Sequence, residues 1–260
     1  MEIIELRNVS KSFGGKVVLH DFDLKISGGE IRALIGPNGA GKTVVLNLIS
    51  GFYKADKGEI YFNKALLNPK MPYEITNLGI GRTFQKVEIF PSMSVLENVL
   101  AGFHREFKSG LLSVSLGLKR TKEEERRLRE EGMKKLDFVG LASSANELAT
   151  NLPYGKLRLL ELARALSTSP QFIMLDEPVA GMSSEEIENL KGLLYQLKHM
   201  GITILLVEHV MRLVMDISHC ITVLDYGEKI AEGSPEEIAN NEKVLEAYLG
   251  KRRDVKSRAN

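Results

Sequence analysis

The sequence contains a single cysteine, Cys220, in 260 residues, so no intramolecular disulfide framework can form and a reducing compartment fits. Cys220 stands just before the apolar run "ITVLD" and reads as a buried packing residue. Neither sign of charge prevails. The 35 Lys plus Arg face 34 Asp plus Glu, which removes the basic surplus that nucleic-acid binding usually needs. Long apolar runs are missing as well: "ITILLV", Ile202 to Val207, falls far short of the roughly 18–20 residues that cross a bilayer. The start "MEIIELRNVSKSF" lacks the basic-then-apolar order of a secretory signal. The expectation is a soluble, cytoplasmic chain that works at a membrane only through a partner.

A core is affordable, since 43% of the residues are hydrophobic. Up to residue 92, β-branched segments alternate with turn signals. "IIELRNVSKSF", "KVVLHDFDLKI" and "GEIYFNKALL" read as strands, with "SGGE" and "DKGE" as tight turns. "IRALIG" is a buried strand that enters a glycine-rich loop and then the helix "KTVVLNLISGF", the opening of a parallel α/β core. Residues 93–152 turn helical, with "SVLENVLAGFH" and a charged helix, "TKEEERRLREEGMKKLDFVG", whose apolar side is Leu128, Met133 and Leu136. "EFKSGLLSVSLGLKR" between them shows no period and reads as an irregular connection. The α/β rhythm returns with "QFIMLDEP", a helix over Ser184–Met200, "ITILLVEH", a strand pair in "CITVLDYGEKIAEG" and a last helix, "SPEEIANNEKVLEAYLG". The expected organisation is one domain over 1–250, with 1–92 and 153–250 as the core and 93–152 as a helical insertion. The basic tail 251–260 is expected to be disordered.

"GPNGAGKT" fits the phosphate-loop pattern of Gly, four residues, then Gly-Lys-Ser/Thr. Gly36, Pro37, Asn38, Gly39, Ala40 and Gly41 curl so that backbone N–H groups face a phosphate, and the following helix adds its positive end. Lys42 would neutralise the β- and γ-phosphates and Thr43 would coordinate Mg²⁺. A distant carboxylate must complete the metal site, and Asp176, ending the apolar strand "FIMLD", supplies it. Glu177 follows on what reads as an extended strand end, turned elsewhere as general base for water. His209, at the end of a second apolar strand, could hydrogen-bond a γ-phosphate, although a surface histidine reads equally from the residues alone. Gln85 is an unremarkable loop residue on composition. In "LPYGKLRLLELARAL", an amphipathic helix runs from Lys156 with Leu157, Leu160, Leu162, Ala163 and Leu166 inward, after a turn at Pro153–Gly155.

Together these motifs resemble the ATP-binding cassette (ABC) ATPases over almost the whole chain. The resemblance implies an ABC-type P-loop core with an N-terminal antiparallel β subdomain and an inserted helical subdomain. It implies that Leu152, Pro153, Tyr154, Gly155 and Lys156 replace the Leu-Ser-Gly-Gly-Gln signature, which caps the ATP of the opposite subunit in a head-to-tail dimer. Phe13 corresponds to the adenine-stacking aromatic, Gln85 to the Q-loop residue that senses Mg²⁺ and γ-phosphate, and His209 to the switch histidine. Pro153 stands where a serine hydroxyl is usual, Tyr154 where the first glycine is, and Ser183 where an aspartate is. "GIGRTFQKVEIFPSMSVLENVLAGFH", "NLPYG", "LLVEHVMRLVMDIS" and "VLEAYLG" narrow the likeness to the ATPases of branched-chain amino-acid importers. That subfamily implies ATP and Mg²⁺, two membrane permeases, a second ATPase or a second copy as dimer partner, an extracytoplasmic binding protein acting indirectly, and a place on the cytoplasmic face of the membrane. Rival readings are a transporter of urea, amides or other amino acids, or of exported lipopolysaccharide. An ABC ATPase of DNA repair or translation would carry a coiled-coil insertion or tandem cassettes, and a P-loop kinase would leave Gln85, His209 and residues 152–156 unexplained.

Overall fold

The computed structural model describes residues 1–103 and 119–249. Most of the segment read as an irregular connection, and the C-terminal tail, lie outside them. The chain divides into two compact units, Met1–Met71 with the stretch from Leu205 onward, and Pro72–Ile204.

The first unit opens with a long hairpin, β1 (Glu2–Phe13) and β2 (Lys16–Ser27). Gly14 and Gly15 form its two-residue turn with φ of 56° and 83°, the paired positive values that match the twist of the strands. Phe22, Leu24 and Ile26 alternate inward along β2. With β4 (Lys57–Phe62) and β5 (Ala65–Leu66) the hairpin forms an antiparallel sheet of order β2-β1-β4-β5. "DKGE", read as a tight turn, is instead the start of β4, opposite a bulge in β1. Gly58 holds φ 82°, and a side chain there would strike the carbonyls of Arg7 and Asn8 across the register shift of β1.

β3 (Ile31–Ile35) is buried at all five positions, as a strand covered on both faces must be. It runs parallel to β9 (Cys220–Asp225), which pairs antiparallel with β10 (Glu228–Gly233). β8 (Thr203–Val207), whose last three residues belong to this unit, is the other neighbour of β3. Four helices accompany these strands: α1 (Lys42–Ile49), α7 (Met211–Ile217), α8 (Pro235–Ala239) and α9 (Glu242–Leu249). Ala33 and Ile35 of β3, Ile221 and Val223 of β9, Val214, Ile238 and Val244 make one apolar cluster, so α7, α8 and α9 share a face of the parallel strands. Cys220 is half-buried at the head of β9, and burial pushes its thiol up.

In the second unit β6 (Ile80–Arg82) and β7 (Phe172–Asp176) run parallel. α2 (Pro72–Asn77) leads into β6, and α6 (Ser184–His199) follows β7. Between them α3 (Val95–Leu100), α4 (Lys119–Phe138) and α5 (Tyr154–Leu166) pack on one another. α3 is shorter than "SVLENVLAGFH" suggested and tightens into a 3₁₀ turn over Ala101–Phe103. Leu128 and Leu136 of α4 are buried as expected, and Gly132 lets α4 sit against Leu96 and Leu100.

Asn98, fully buried on α3, organises the loop ahead of that helix. Its carbonyl accepts the Phe90 N–H at 2.8 Å, and its amide donates to the Phe90 and Ser94 carbonyls at 3.1 and 3.0 Å. Asn98→Ala would leave these groups unpaired in a dry site and is expected to cost about 2–3 kcal/mol, measured by urea unfolding.

Candidate functional site

The candidate residues divide between the two units. In the first, β3 delivers the chain into the loop 36–41. Gly36, Gly39 and Gly41 hold φ of 151°, 81° and 110°, values that side chains rarely tolerate. A side chain at Gly36 would run into the Leu224 carbonyl, and one at Gly41 would come 3.0 Å from the Val18 carbonyl. Gly41 is the N-cap of α1 and makes no side-chain cap, and a helix N-terminus of this kind suits an anion. Lys42 folds its ammonium over the loop, donating to the Gly36 and Pro37 carbonyls at 2.6 and 3.0 Å. Asn38, Gly39 and Thr43 are exposed, whereas Gly36, Ala40 and Gly41 are buried.

Phe13 ends β1 with 40% of its surface exposed, a face suited to stacking. The ring of Tyr53 meets it edge-on at 5.0 Å, and the Lys11 ammonium lies 5.3 Å from its centroid. His209 follows β8, which ends at Val207, two residues earlier than the strand "ITILLVEHV" suggested. The buried Glu208 explains the stop: its carboxylate accepts the N–H groups of His209 and Val210 at 2.9 and 3.2 Å, turning the chain and leaving the imidazole exposed.

Tyr248 on α9 was read only as part of a family ending. Its hydroxyl is hydrogen-bonded to the backbone of Gly36; burial pushes the phenol up, and that bond works the other way. One turn earlier Val244 shares a cluster with Ile35, the residue before Gly36. The last helix thus props the entry of the loop, a contact between residues more than 200 positions apart that no local pattern announces.

In the second unit Asp176 ends β7, 2% exposed, with the Arg82 guanidinium 3.6 Å away. Glu177 is not on an extended strand end. Its φ is 49°, a left-handed conformation unusual for a side chain of this size, which turns its carboxylate off the line of the strand. The Gln85 side-chain amide donates to that carboxylate at 3.1 Å, so the structure brings these two candidates together.

The segment 152–156 also departs from its reading. α5 begins at Tyr154, two residues earlier than expected, with Pro153 as N-cap; its fixed φ of −55° suits that place and its missing N–H costs nothing there. Gly155 lies in the first turn, buried against the Glu186 carboxylate, which a side chain would strike. Glu186 is held there by a capping box with Ser183, the residue in the aspartate position. Leu152 is buried, while Tyr154 and Lys156 are exposed. The inner face of α5 carries two charged residues that the apolar pattern passed over, Arg158 and Glu161. Burial pushes the Glu161 carboxyl up against the pull of Arg158. No group of three or more His, Cys, Asp or Glu that could hold a metal occurs among the described residues.

A glycine-built anion cradle after a buried parallel strand, with a lysine folded over it, defines a P-loop nucleotide-binding protein. Residues 19–180 match the family described as ABC transporter, and residues 228–254 match the one described as branched-chain amino acid ATP-binding cassette transporter. LivG of Salmonella typhimurium, a high-affinity branched-chain amino acid transport ATP-binding protein, is 42% identical over 253 residues, covering 95% of this chain and 98% of its own. BraF of Pseudomonas aeruginosa, named likewise, is 38% identical over 249 residues, covering 95% and 98%. Among solved structures, a nucleotide-free ATP-binding cassette from an ABC transporter matches with a TM-score of 0.84 at 35% identity, covering 96% of this chain and 100% of its own. A dimeric bacterial ABC transporter cassette matches at 0.77 with 26% identity over 89% and 98%. The chain belongs to the ABC transporter ATPase family, with the ABC-type P-loop fold that its motifs implied.

Tyr248→Phe, which removes one hydroxyl, is expected to weaken ADP binding about 2- to 10-fold, the range of one lost hydrogen bond, as read by isothermal titration.

Proposed function

We propose that the chain binds ATP and hydrolyses it to energise a membrane importer, with branched-chain amino acids as the cargo. The anion cradle of residues 36–43 carries the nucleotide part of this reading. The cargo rests on the names of LivG and BraF and on the match over residues 228–254. No helix among the described residues is long and apolar enough to cross a membrane. The transport relatives support partner permeases as the path of the cargo, with this chain peripheral on their cytoplasmic side. A head-to-tail pairing with a second ATPase or a second copy is supported by the dimeric cassette among the structural relatives. The helices α3 and α4 are the proposed docking surface for the permeases, and an extracytoplasmic binding protein delivers the cargo to them.

The roles follow from the chemistry of each side chain. Phe13 stacks on the adenine, while Lys42 and the loop N–H groups balance the phosphate charge. The Thr43 hydroxyl, the Asp176 carboxylate and the Gln85 side-chain carbonyl are each hard oxygen donors of the kind that Mg²⁺ takes. Bound Mg²⁺ supplies charge neutralisation on the phosphates. Glu177 accepts a proton from the attacking water as its oxygen bonds to the γ-phosphorus and the bond to the β-phosphate bridging oxygen breaks. Gln85, bonded to Glu177, holds that carboxylate in place. His209 steadies the γ-phosphate through a hydrogen bond. Residues 152–156 cap the partner's ATP, with the Tyr154 and Lys156 N–H groups at the head of α5 as donors.

Glu177→Gln is expected to retain ATP binding and to lower turnover at least ~100-fold, the lower range for general-base catalysis. Near-normal turnover would remove Glu177 from that role. In cells lacking the chain, leucine uptake should return with the wild type and not with Glu177→Gln. Uptake that is normal without the chain would redirect the cargo to urea, amides or another solute.

A further inference from the structure

Tyr154 sits where the family signature has its first glycine, and it is 47% exposed, so its ring contributes little to the core. Its surroundings are nonetheless ordered. The ring lies over Gly181, where a side chain would come 3.0 Å from Cε1; Gly181 holds φ 76° in the turn that follows Glu177. Its hydroxyl accepts a hydrogen bond from Nη2 of Arg158 at 3.0 Å, one turn along α5.

Arg158 is 6% exposed, and both of its Nη groups donate to the loop that carries Gln85. The same Nη2 donates to the Gln85 carbonyl at 2.5 Å, while Nη1 donates to the Phe84 carbonyl at 2.8 Å and to Glu161 at 3.3 Å. The other oxygen of Glu161 accepts the Glu88 N–H at 2.9 Å. The bend 84–88 is therefore pinned at both ends to α5, and the Gln85 side chain extends from it to reach Glu177. A guanidinium is a planar fork, and the Tyr154 hydroxyl, its fourth acceptor, shares Nη2 with the Gln85 main-chain carbonyl and so helps to fix the plane that grips that carbonyl.

We propose that Tyr154 is a positioning residue for hydrolysis: its hydroxyl locks the Arg158 fork on the Gln85 carbonyl, which keeps the Gln85 amide on Glu177. The proposal rests on the reading of Gln85 and Glu177 as hydrolytic residues. On this account the tyrosine, a departure from the signature, orders the water-activating side of the same chain in addition to any contact with the partner's ATP.

The test is a double-mutant cycle on the full chain with Tyr154→Phe, Gln85→Ala and both, read as kcat, KM for ATP and ADP affinity. Tyr154→Phe keeps the ring over Gly181 and removes only the hydroxyl. The expected result is a fall in kcat of about 3- to 10-fold with KM and ADP affinity unchanged. In the Gln85→Ala background the same substitution should add less than about 2-fold, because residues acting through one another are not additive. A merely structural tyrosine would reduce the active fraction, leave kcat per active site alone and act equally in both backgrounds. That outcome, or an unchanged kcat, overturns the proposal and leaves the reading of Gln85 standing. A Gln85→Ala chain with normal kcat would overturn that reading and the proposal with it.

Discussion

The constraint on which the rest of the first unit depends is the shape of six residues, 36–41. Backbone N–H groups can grip a phosphate only if the chain takes left-handed turns at Gly36 and Gly41, and the unit is arranged so that only glycine fits at Gly36. The Leu224 carbonyl occupies the space of a Gly36 side chain, the Ala40 carbonyl accepts the Gly227 N–H at 3.0 Å, and Tyr248 binds the Gly36 backbone. β9, the β9–β10 turn and α9 thus all meet the loop. The buried parallel pair of β3 and β9 makes this possible, because fully covered strands give the loop a fixed base.

The second unit solves a different problem. It must hold a strained carboxylate, Glu177, and a mobile type of side chain, glutamine, in register. It does so with buried polar groups: Asn98, Arg158 and Glu161 are each at most 6% exposed and each bond backbone groups of the stretch 84–94. Burying such groups is costly unless they are hydrogen-bonded, and the bonds they make to this stretch favour one arrangement of it over the alternatives. Apolar packing alone would leave the loop free to slide.

What could be read in the sequence was what local chemistry dictates. "GPNGAGKT" announces its loop because the glycines and the lysine act within eight residues, and the strand before it is apolar throughout. The strands β1 and β2 were legible as β-branched segments, while the turn at Gly14 and Gly15 that joins them was not among the turns read. Readings failed where a distant partner decides. Gly58 looks like a turn until the carbonyls of Arg7 and Asn8, at the bulge of β1 opposite it, explain why a glycine stands there. Gly155 reads as a helix-entry turn until Glu186, on another helix, fills the space beside it. Arg158 and Glu161 escaped because an apolar-period search passes over charged residues on the inner face, and Tyr248 because its contact spans nearly the whole chain. The family resemblance placed Phe13, Gln85 and His209, which composition alone left as ordinary residues.

The central claim is that this chain is the ATPase of a membrane importer, and the company it keeps in the cell tests that most directly. The Glu177→Gln form would be isolated by affinity from its native membranes with ATP and Mg²⁺, and the proteins that accompany it identified by mass. The account predicts two hydrophobic permeases together with a second ATPase or a second copy of this chain. Ribosomal or DNA-bound partners, with no membrane protein among them, would contradict it.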